Sequence, residues 1–463
     1  MKNISRIVLF ATICLSAASA FSQTIIGEAN FSAETLGNNY ILPDNELLML
    51  NVTRNDVNIF AKFLIYDSEL NLISNSEMGI GEVGAEIAGH LSADSSKFFF
   101  VKWGLMSPQL EIITVNLKNY EKESTIYKQP ENFGIPQTYG YKPTIIVNDR
   151  LYVPGVKLKP QGIVSLWQID LNSEESIIEV VPDLEKNELF NTFSTWENNS
   201  PMACYAIKNK KEKSRTFHFL DLQQGGPMKD MHFTAPADYE EFTTSMKIYK
   251  TGKNEFLATG SCGPTYSNAL FFLPIQNHQA SEMRRLYLCD IPKFESAVKY
   301  IPIEKNEKNF PGTMKEYKTI ASPSAMLKTK DGYFLGYRML QVISQTSGIY
   351  FTHDQLLKVD SDFELVDAQF IQYQKGDAIN LKCVEYSYKK DGSVTYSICD
   401  SQSAYVYSYK NKELSQPKIL DFAALETKQN ILARFSMMHW HEDNFLIFKE
   451  NRDKSKLYSV EFE

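Results

Sequence analysis

From residue 44 onward, polar turns and short apolar runs alternate, with little helical periodicity between them. One recurring marker is a tight polar pair that launches an apolar strand. Asp44-Asn45 precedes "ELLML", Asp94-Ser95 "KFFFV", Asn148-Asp149 "RLYV", Asn198-Asn199 "SPMACY" and Gly252-Lys253 "NEFLAT". Asp331-Gly332, Asp391-Gly392 and Asp443-Asn444 continue the series. Such pairs suit hairpins, whose twist-matched turns need the positive φ that Gly, Asn and Asp tolerate. The other marker is an apolar strand running into an acid or a turn: "FLIYD" to Asp67, "IITVN" to Asn116, "LWQID" to Asp170 and "FHFLD" to Asp221. "LLKVD" to Asp360, "YVYSY" to Tyr409 and "LYSVE" to Glu461 follow.

Between Asp221 and Asp360 two runs compete for the fifth strand marker, and spacing decides. From turn to marker the first four copies span 23, 22, 21 and 23 residues, counting from residues 44, 94, 149 and 198. From Gly252, "LFFLP" at Pro274 lies 22 residues on and "LYLCD" at Asp290 lies 38, so "LFFLP" takes the place. Eight turn markers and eight strand markers then alternate at a period near fifty. "FLIYDSELNLI", residues 63–73, and "LLKVDSDFELV", residues 356–366, are accordingly the same hairpin in the first and sixth repeats.

A four-stranded unit of roughly 40 to 50 residues, repeated, resembles the β-propeller superfamily over nearly the whole chain. The resemblance implies an all-β fold of eight blades, with seven as the alternative if one marker pair is a mispaired hairpin. Strands packed between neighbouring blades are covered on both faces, which explains continuous apolar runs such as "KFFFV" and "ALFFL". Glu461 leaves the eighth unit no room for an outermost strand, and "TIIGEANF", residues 24–31, is free to supply it. Pairing of the N- and C-terminal strands would close the ring and remove a sheet edge. The period breaks at 276–325, because the step from Gly252 to Asp331 is 79 residues against 49 to 60 elsewhere. Part of that insertion must supply the fifth unit's outer strand, and the rest is a loop or an extra hairpin.

The Trp-Asp ends of WD repeats, the kelch di-glycines, the tryptophan docking motifs of quinoprotein dehydrogenases and the acid boxes of sialidases are not found. The chain is similar in style to uncharacterised exported propellers of Gram-negative bacteria, a resemblance of architecture and export signal that carries no catalytic residues across.

The first 22 residues begin basic at Lys2 and Arg6, continue apolar from Ile7 to Ala18, and carry small residues at Ala18 and Ala20. That is a secretory signal, with cleavage after Ala20 or Ser22. Residues 23–463 are then one propeller domain, exported to the periplasm or beyond the cell. With the signal removed, 46 basic residues face 56 acidic ones. That acidic balance gives no nucleic-acid footprint, and no later stretch reaches the roughly 18 apolar residues of a spanning helix. A monomer without stable membrane insertion is expected, whose partner is a small molecule, a glycan or a protein.

Candidate chemistry is sparse. His439 and His441 of "HWHED" would share a strand face, but no further ligand is identifiable, so inner-strand packing near the channel is the ordinary explanation and no metal is assigned. No nucleophile elbow, zinc-protease motif, phosphate loop or calcium loop is present, and no cofactor is expected. Trp103, Tyr266 and Arg338 lie in or beside expected second-to-third-strand loops and, with His439 and His441, are candidate ligand-binding residues. Cys383 and Cys399 flank Asp391 at eight residues on either side and are a possible cross-hairpin disulfide. Cys262 and Cys289 could similarly tie the insertion to its blade; the alternative, of equal weight, is that all five cysteines after the signal are reduced packing residues. The leading functional expectation is a non-enzymatic exported binding or scaffold protein. The alternative is a carbohydrate- or lactone-directed hydrolase or lyase working at the channel mouth.

Overall fold

The computed structural model describes residues 23–31, 38–82, 85–104, 109–131, 133–134, 144–157, 163–171, 176–180, 188–196, 202–209, 211, 214–222, 230–235, 246–263, 267–277, 279–292, 294, 300–302, 315–317, 319–344, 348–372, 383–388, 393–399, 403–410, 413–425, 434–441, 444–450 and 455–462. Nearly all are strand. β1 (Gln23–Phe31) is set aside for the last sheet. The first sheet holds β2 (Asn38–Ile41), β3 (Leu47–Arg54), β4 (Asn58–Tyr66) and β5 (Leu72–Glu82) in that order. The second holds β6 (Ala85–Leu91), β7 (Lys97–Gly104), β8 (Gln109–Asn116) and β9 (Lys122–Lys128).

In the third sheet, β10 (Phe133–Gly134) and β11 (Ile145–Val147) share one edge of β12 (Arg150–Lys157), followed by β13 (Ile163–Asp170) and β14 (Ser176–Val180). The fourth runs β15 (Glu188–Trp196), β16 (Met202–Asn209), β17 (Ser214–Asp221), β18 (Asp230–Ala235). The fifth runs β19 (Lys247–Gly252), β20 (Glu255–Cys262), β21 (Ala269–Gln276), with β22 (Gln279–Ala280) and β23 (Arg284–Tyr287) sharing the outer position. A separate hairpin, β24 (Tyr300–Pro302) with β25 (Lys315–Tyr317), interrupts the series, so the insertion supplies both an outer strand and an extra hairpin.

The sixth sheet is β26 (Thr319–Thr329), β27 (Gly332–Ser344), β28 (Gly348–Val359) and β29 (Leu365–Gln372). The seventh is β30 (Cys383–Tyr388), β31 (Val394–Cys399), β32 (Ser403–Lys410), with β33 (Glu413–Leu414) and β34 (Lys418–Asp421) sharing its outer position. The last joins β35 (Arg434–His441), β36 (Asn444–Glu450) and β37 (Ser455–Phe462) to β1, from Gln23 opposite Phe462 to Phe31 opposite Ser455. All pairings are antiparallel, so eight sheets with four strand positions each follow one another among the described residues.

The turn chemistry drawn from the sequence is what holds these hairpins. Asn148 and Asp149 both have positive φ, as do Asp44 and Asn45, while Ser95 and Asn254 supply one such residue each. At Asp331-Gly332 the turn falls one residue earlier than the marker implied, and Gly332 opens β27 at φ 143°. A Cβ there would meet Val359 O at 2.1 Å, which explains why this strand begins with glycine.

Asn198-Asn199 and Asp391-Gly392 lie outside the described residues. The twin hairpins match bond for bond. Asp67 Oδ1 accepts from the amides of Glu69 and Asn71 at 2.9 and 2.8 Å. Asp360 Oδ1 accepts from those of Asp362 and Glu364, both at 2.9 Å. Leu70 and Phe363 follow at φ 64° and 65° with their side chains buried.

The described residues form two compact units, one drawn from Met1–Thr53, Ala61–Glu77 and Tyr373–Glu463, the other from Arg54–Phe60 and Met78–Gln372. In the first, the seventh sheet packs on the last through Val406, Leu420, Phe445 and Tyr458. The last sheet then packs on the first through Trp440, Leu446, Leu47 and Leu70. In the second unit the second to sixth sheets pack in chain order, with Phe99, Val153, Phe217, Phe271, Leu270 and Tyr337 among the seam residues. Sheets covered on both faces lose the alternation of a half-exposed strand, and all six residues of β31 are buried.

Candidate functional site

The break in the fifth sheet's outer position shapes a cleft. β22 pairs with Ile275 and Gln276, and β23 pairs with Ala269 through Phe272. Between the two, the outer chain carries one residue more than β21. Pro274 has no N–H to offer the ladder there, although its carbonyl still accepts from Ser281 N at 2.9 Å. Ser281–Met283 therefore leaves the sheet edge and opens a space of about 580 Å³.

Arg284, Arg285 and Tyr287 line one wall of this cleft, and Asp362, Phe363 and Glu364 of the β28–β29 turn line another. Arg284 Nη2 stands 3.8 Å from Glu282 Oε2. Burial lowers the pKa of Arg285 from its ordinary value, although a guanidinium stays charged. Phe363 is fixed by nearly parallel stacking on Phe272 and Tyr333, at 5.2 and 5.1 Å between centroids. The turn set by Asp360 thus presents two acids beside a rigid aromatic ring. "RRLYLCD" was legible only as part of the insertion; paired arginines on a short strand were the available signal.

Arg338 does not lie in a loop, as its sequence context implied. β27 continues to Ser344, and Arg338 faces Ser322 on β26 and Asp354 on β28. Its Nε is 3.4 Å from Asp354 Oδ1, and that carboxylate is 0% exposed. Burial, and secondarily the charge of Arg338, holds the Lys247 ammonium below its ordinary pKa. Beside this pair, His353 is fully buried between the rings of Phe294 and Phe370, and burial pushes its pKa down to about 3.

Trp103 is half-buried on β7 and packs against the seam between the second and third sheets. Tyr266 lies outside the described residues, as do the tips of most second-to-third-strand loops. His439 and His441 do not keep the shared face expected of them. A bulge sets His439 opposite Phe445 but His441 opposite Asn444, and Phe445 and Asn444 are adjacent residues on opposite faces of β36. Trp440 is the residue the bulge accommodates. Its ring is buried in the first-sheet seam and its Nε1 donates to Asn45 O at 2.9 Å. His441 Nδ1 is 3.3 Å from Asn444 Nδ2.

Cys383 and Cys399 are Cα partners across β30 and β31, and Cys399 is buried. The link expected between Cys262 and Cys289 is not made. Cys262 is buried, with its thiol pKa pushed up to about 12 by that burial, whereas Cys289 is exposed and aims its thiol at Asp290 Oδ1, 3.7 Å away. Among the described residues no group of three or more His, Cys, Asp or Glu side chains could hold a metal ion, and no helix is long and apolar enough to cross a membrane.

No family model and no curated protein matches the chain. Similar solved structures include prolyl oligopeptidase B from Galerina marginata, at 8% identity and a TM-score of 0.42, covering 92% of this chain and 56% of that one. This chain thus spans little more than half of that protein. An oligogalacturonate lyase in complex with manganese has 11% identity and a TM-score of 0.38 over 96% of this chain and 98% of that one. The β-propeller domain of the Trilobed protease from Pyrococcus furiosus has 10% identity and a TM-score of 0.31, covering 95% and 97%.

Proposed function

We propose that the eight sheets are the blades of one exported β-propeller whose first and last strands share a blade, and that the protein binds a polar ligand of sugar or peptide size. The observation that carries the binding assignment is the cleft of about 580 Å³ at the fifth and sixth sheets. Its size falls within the roughly 300–1,000 Å³ of small-ligand pockets, and it combines an apolar floor with a few convergent polar groups. Arg284 and Arg285 suit an anionic group, Phe363 and Tyr287 offer flat apolar surface, and Glu282, Asp362 and Glu364 accept from hydroxyls or amides.

The test is equilibrium binding of residues 23–463 to glycan and peptide arrays, repeated with the Arg284→Ala/Arg285→Ala double variant. The expected result is a defined binder whose affinity drops at least about tenfold in the variant, about 1.4 kcal/mol. Binders that ignore the double variant would remove the cleft from the reading. Chemical conversion of a bound ligand would replace it with the hydrolase or lyase alternative.

A further inference from the structure

The fourth sheet carries a pair of histidines that the cleft leaves unused. His218 on β17 and His232 on β18 are Cα partners in the antiparallel ladder, so they stand on one face. Their rings are stacked, with centroids 5.5 Å apart and planes at 30°. The opposite face, at Phe217 and Phe219, belongs to the apolar seam with the fifth sheet. On the histidine face, Leu220 closes the inner end against the third sheet. Thr216 and Thr234 meet at 2.9 Å on the other side of the pair. His232 is exposed and His218 half-buried. Asp230, opposite Leu220 in the register and two residues before His232, holds the next position on the same face.

Two imidazoles bound to one ion at about 2.0–2.1 Å put their ring centres roughly 5 Å apart, close to the separation found. We infer that His218 and His232 together bind a divalent transition ion of the imidazole-seeking kind, Zn²⁺ or Cu²⁺, at the outer edge of the fourth sheet. The two imidazole nitrogens are the protein's share of the coordination, and water completes it. Imidazole suits both ions, and their order of affinity for such a site puts Cu²⁺ ahead of Zn²⁺.

Titration of residues 23–463 with Cu²⁺ and Zn²⁺, together with electron paramagnetic resonance of the copper form, decides the matter. One ion per chain is expected, with Cu²⁺ tighter and with hyperfine coupling from two imidazole nitrogens. Either His218→Ala or His232→Ala should weaken binding at least about tenfold, the size of effect seen even for outer-shell partners of a metal. His232 is exposed on the outermost strand, so His232→Ala should leave the metal-free melting temperature in place and separate loss of the ion from loss of the fold. A spectrum with a single nitrogen, affinity indifferent to His232→Ala, or binding abolished instead by replacing His439 and His441 would overturn the assignment.

Discussion

Two buried titratable side chains of the sixth sheet make opposite demands on solvent. Asp354 is a fully buried carboxylate facing Arg338, so Arg338→Met takes this cation away from an acid held out of water. The expected loss is about 3–5 kcal/mol, while Arg338→Met combined with Asp354→Leu should recover most of it. Urea midpoints of the three proteins check this, and equal losses in the single and double variants would contradict it. His353 carries the pH dependence. Its folded pKa of about 3 lies below the ordinary value of 6.5, so between those limits the unfolded chain takes up a proton that the folded chain refuses.

Stability is therefore complete above about pH 6.5 and falls as pH drops towards 3, with a slope of at most about 1.4 kcal/mol per pH unit from this one residue. His353→Gln removes that contribution, so the gap in stability between wild type and variant should narrow steadily from pH 7 to pH 4. A constant gap would mean that His353 is protonated in the fold.

At the scale of strands and turns, much was readable because the responsible residues lie close together in sequence. Asp67 and Asp360 each close their turn within four residues, and the positive-φ pairs announce their hairpins. The choice of "LFFLP" as a third strand holds, since β21 pairs with β20 along its length. What could not be read depends on register. The bulge between His439 and His441, the parting of β22 from β23, and the meeting of His218 with His232 are set by which residue stands opposite which. The cleft was unreadable for the same reason, since its walls come from the fifth sheet's broken edge and the sixth sheet's turn.

One register expectation does meet its partner, because Cys383 faces Cys399. Cβ atoms of such partners lie about 4.5–5.5 Å apart, at the edge of disulfide reach. In an oxidising compartment the two thiols are expected to give up two protons and two electrons to the ambient oxidant while Cys399 is still accessible, before the sheet buries it. Closing that loop contributes about 3 kcal/mol in the chain-entropy model. Peptide mapping, without reductant, of protein produced in such a compartment should recover residues 383 and 399 in one linked species. Complete alkylation of both under denaturing, non-reducing conditions would rule the bond out.

For the molecule as a whole, the decisive pairing is β1 with β37. Removing residues 23–31 exposes the full length of β37 as an edge with unmatched backbone donors and acceptors, the arrangement that invites strand pairing between molecules. The truncated protein is expected to melt at lower temperature and to form larger soluble oligomers or aggregates than the parent does at the same concentration, as read by light scattering and calorimetry. Adding the missing nine-residue strand in trans as a peptide should reverse part of the effect. An unchanged melting point and mass would show that β1 adds nothing to the last sheet.

The same pairing imposes an order in time. β1 is made before every other described strand and β37 after them, so throughout the synthesis between the two the first strand has nowhere to dock. It must wait, unstructured and open to chaperones or proteases, until β37 has emerged. The sheet that joins them is thus a checkpoint: a polypeptide released before β37 is made leaves β1 loose, and that loose strand is a tag by which quality control can recognise that its partner is missing.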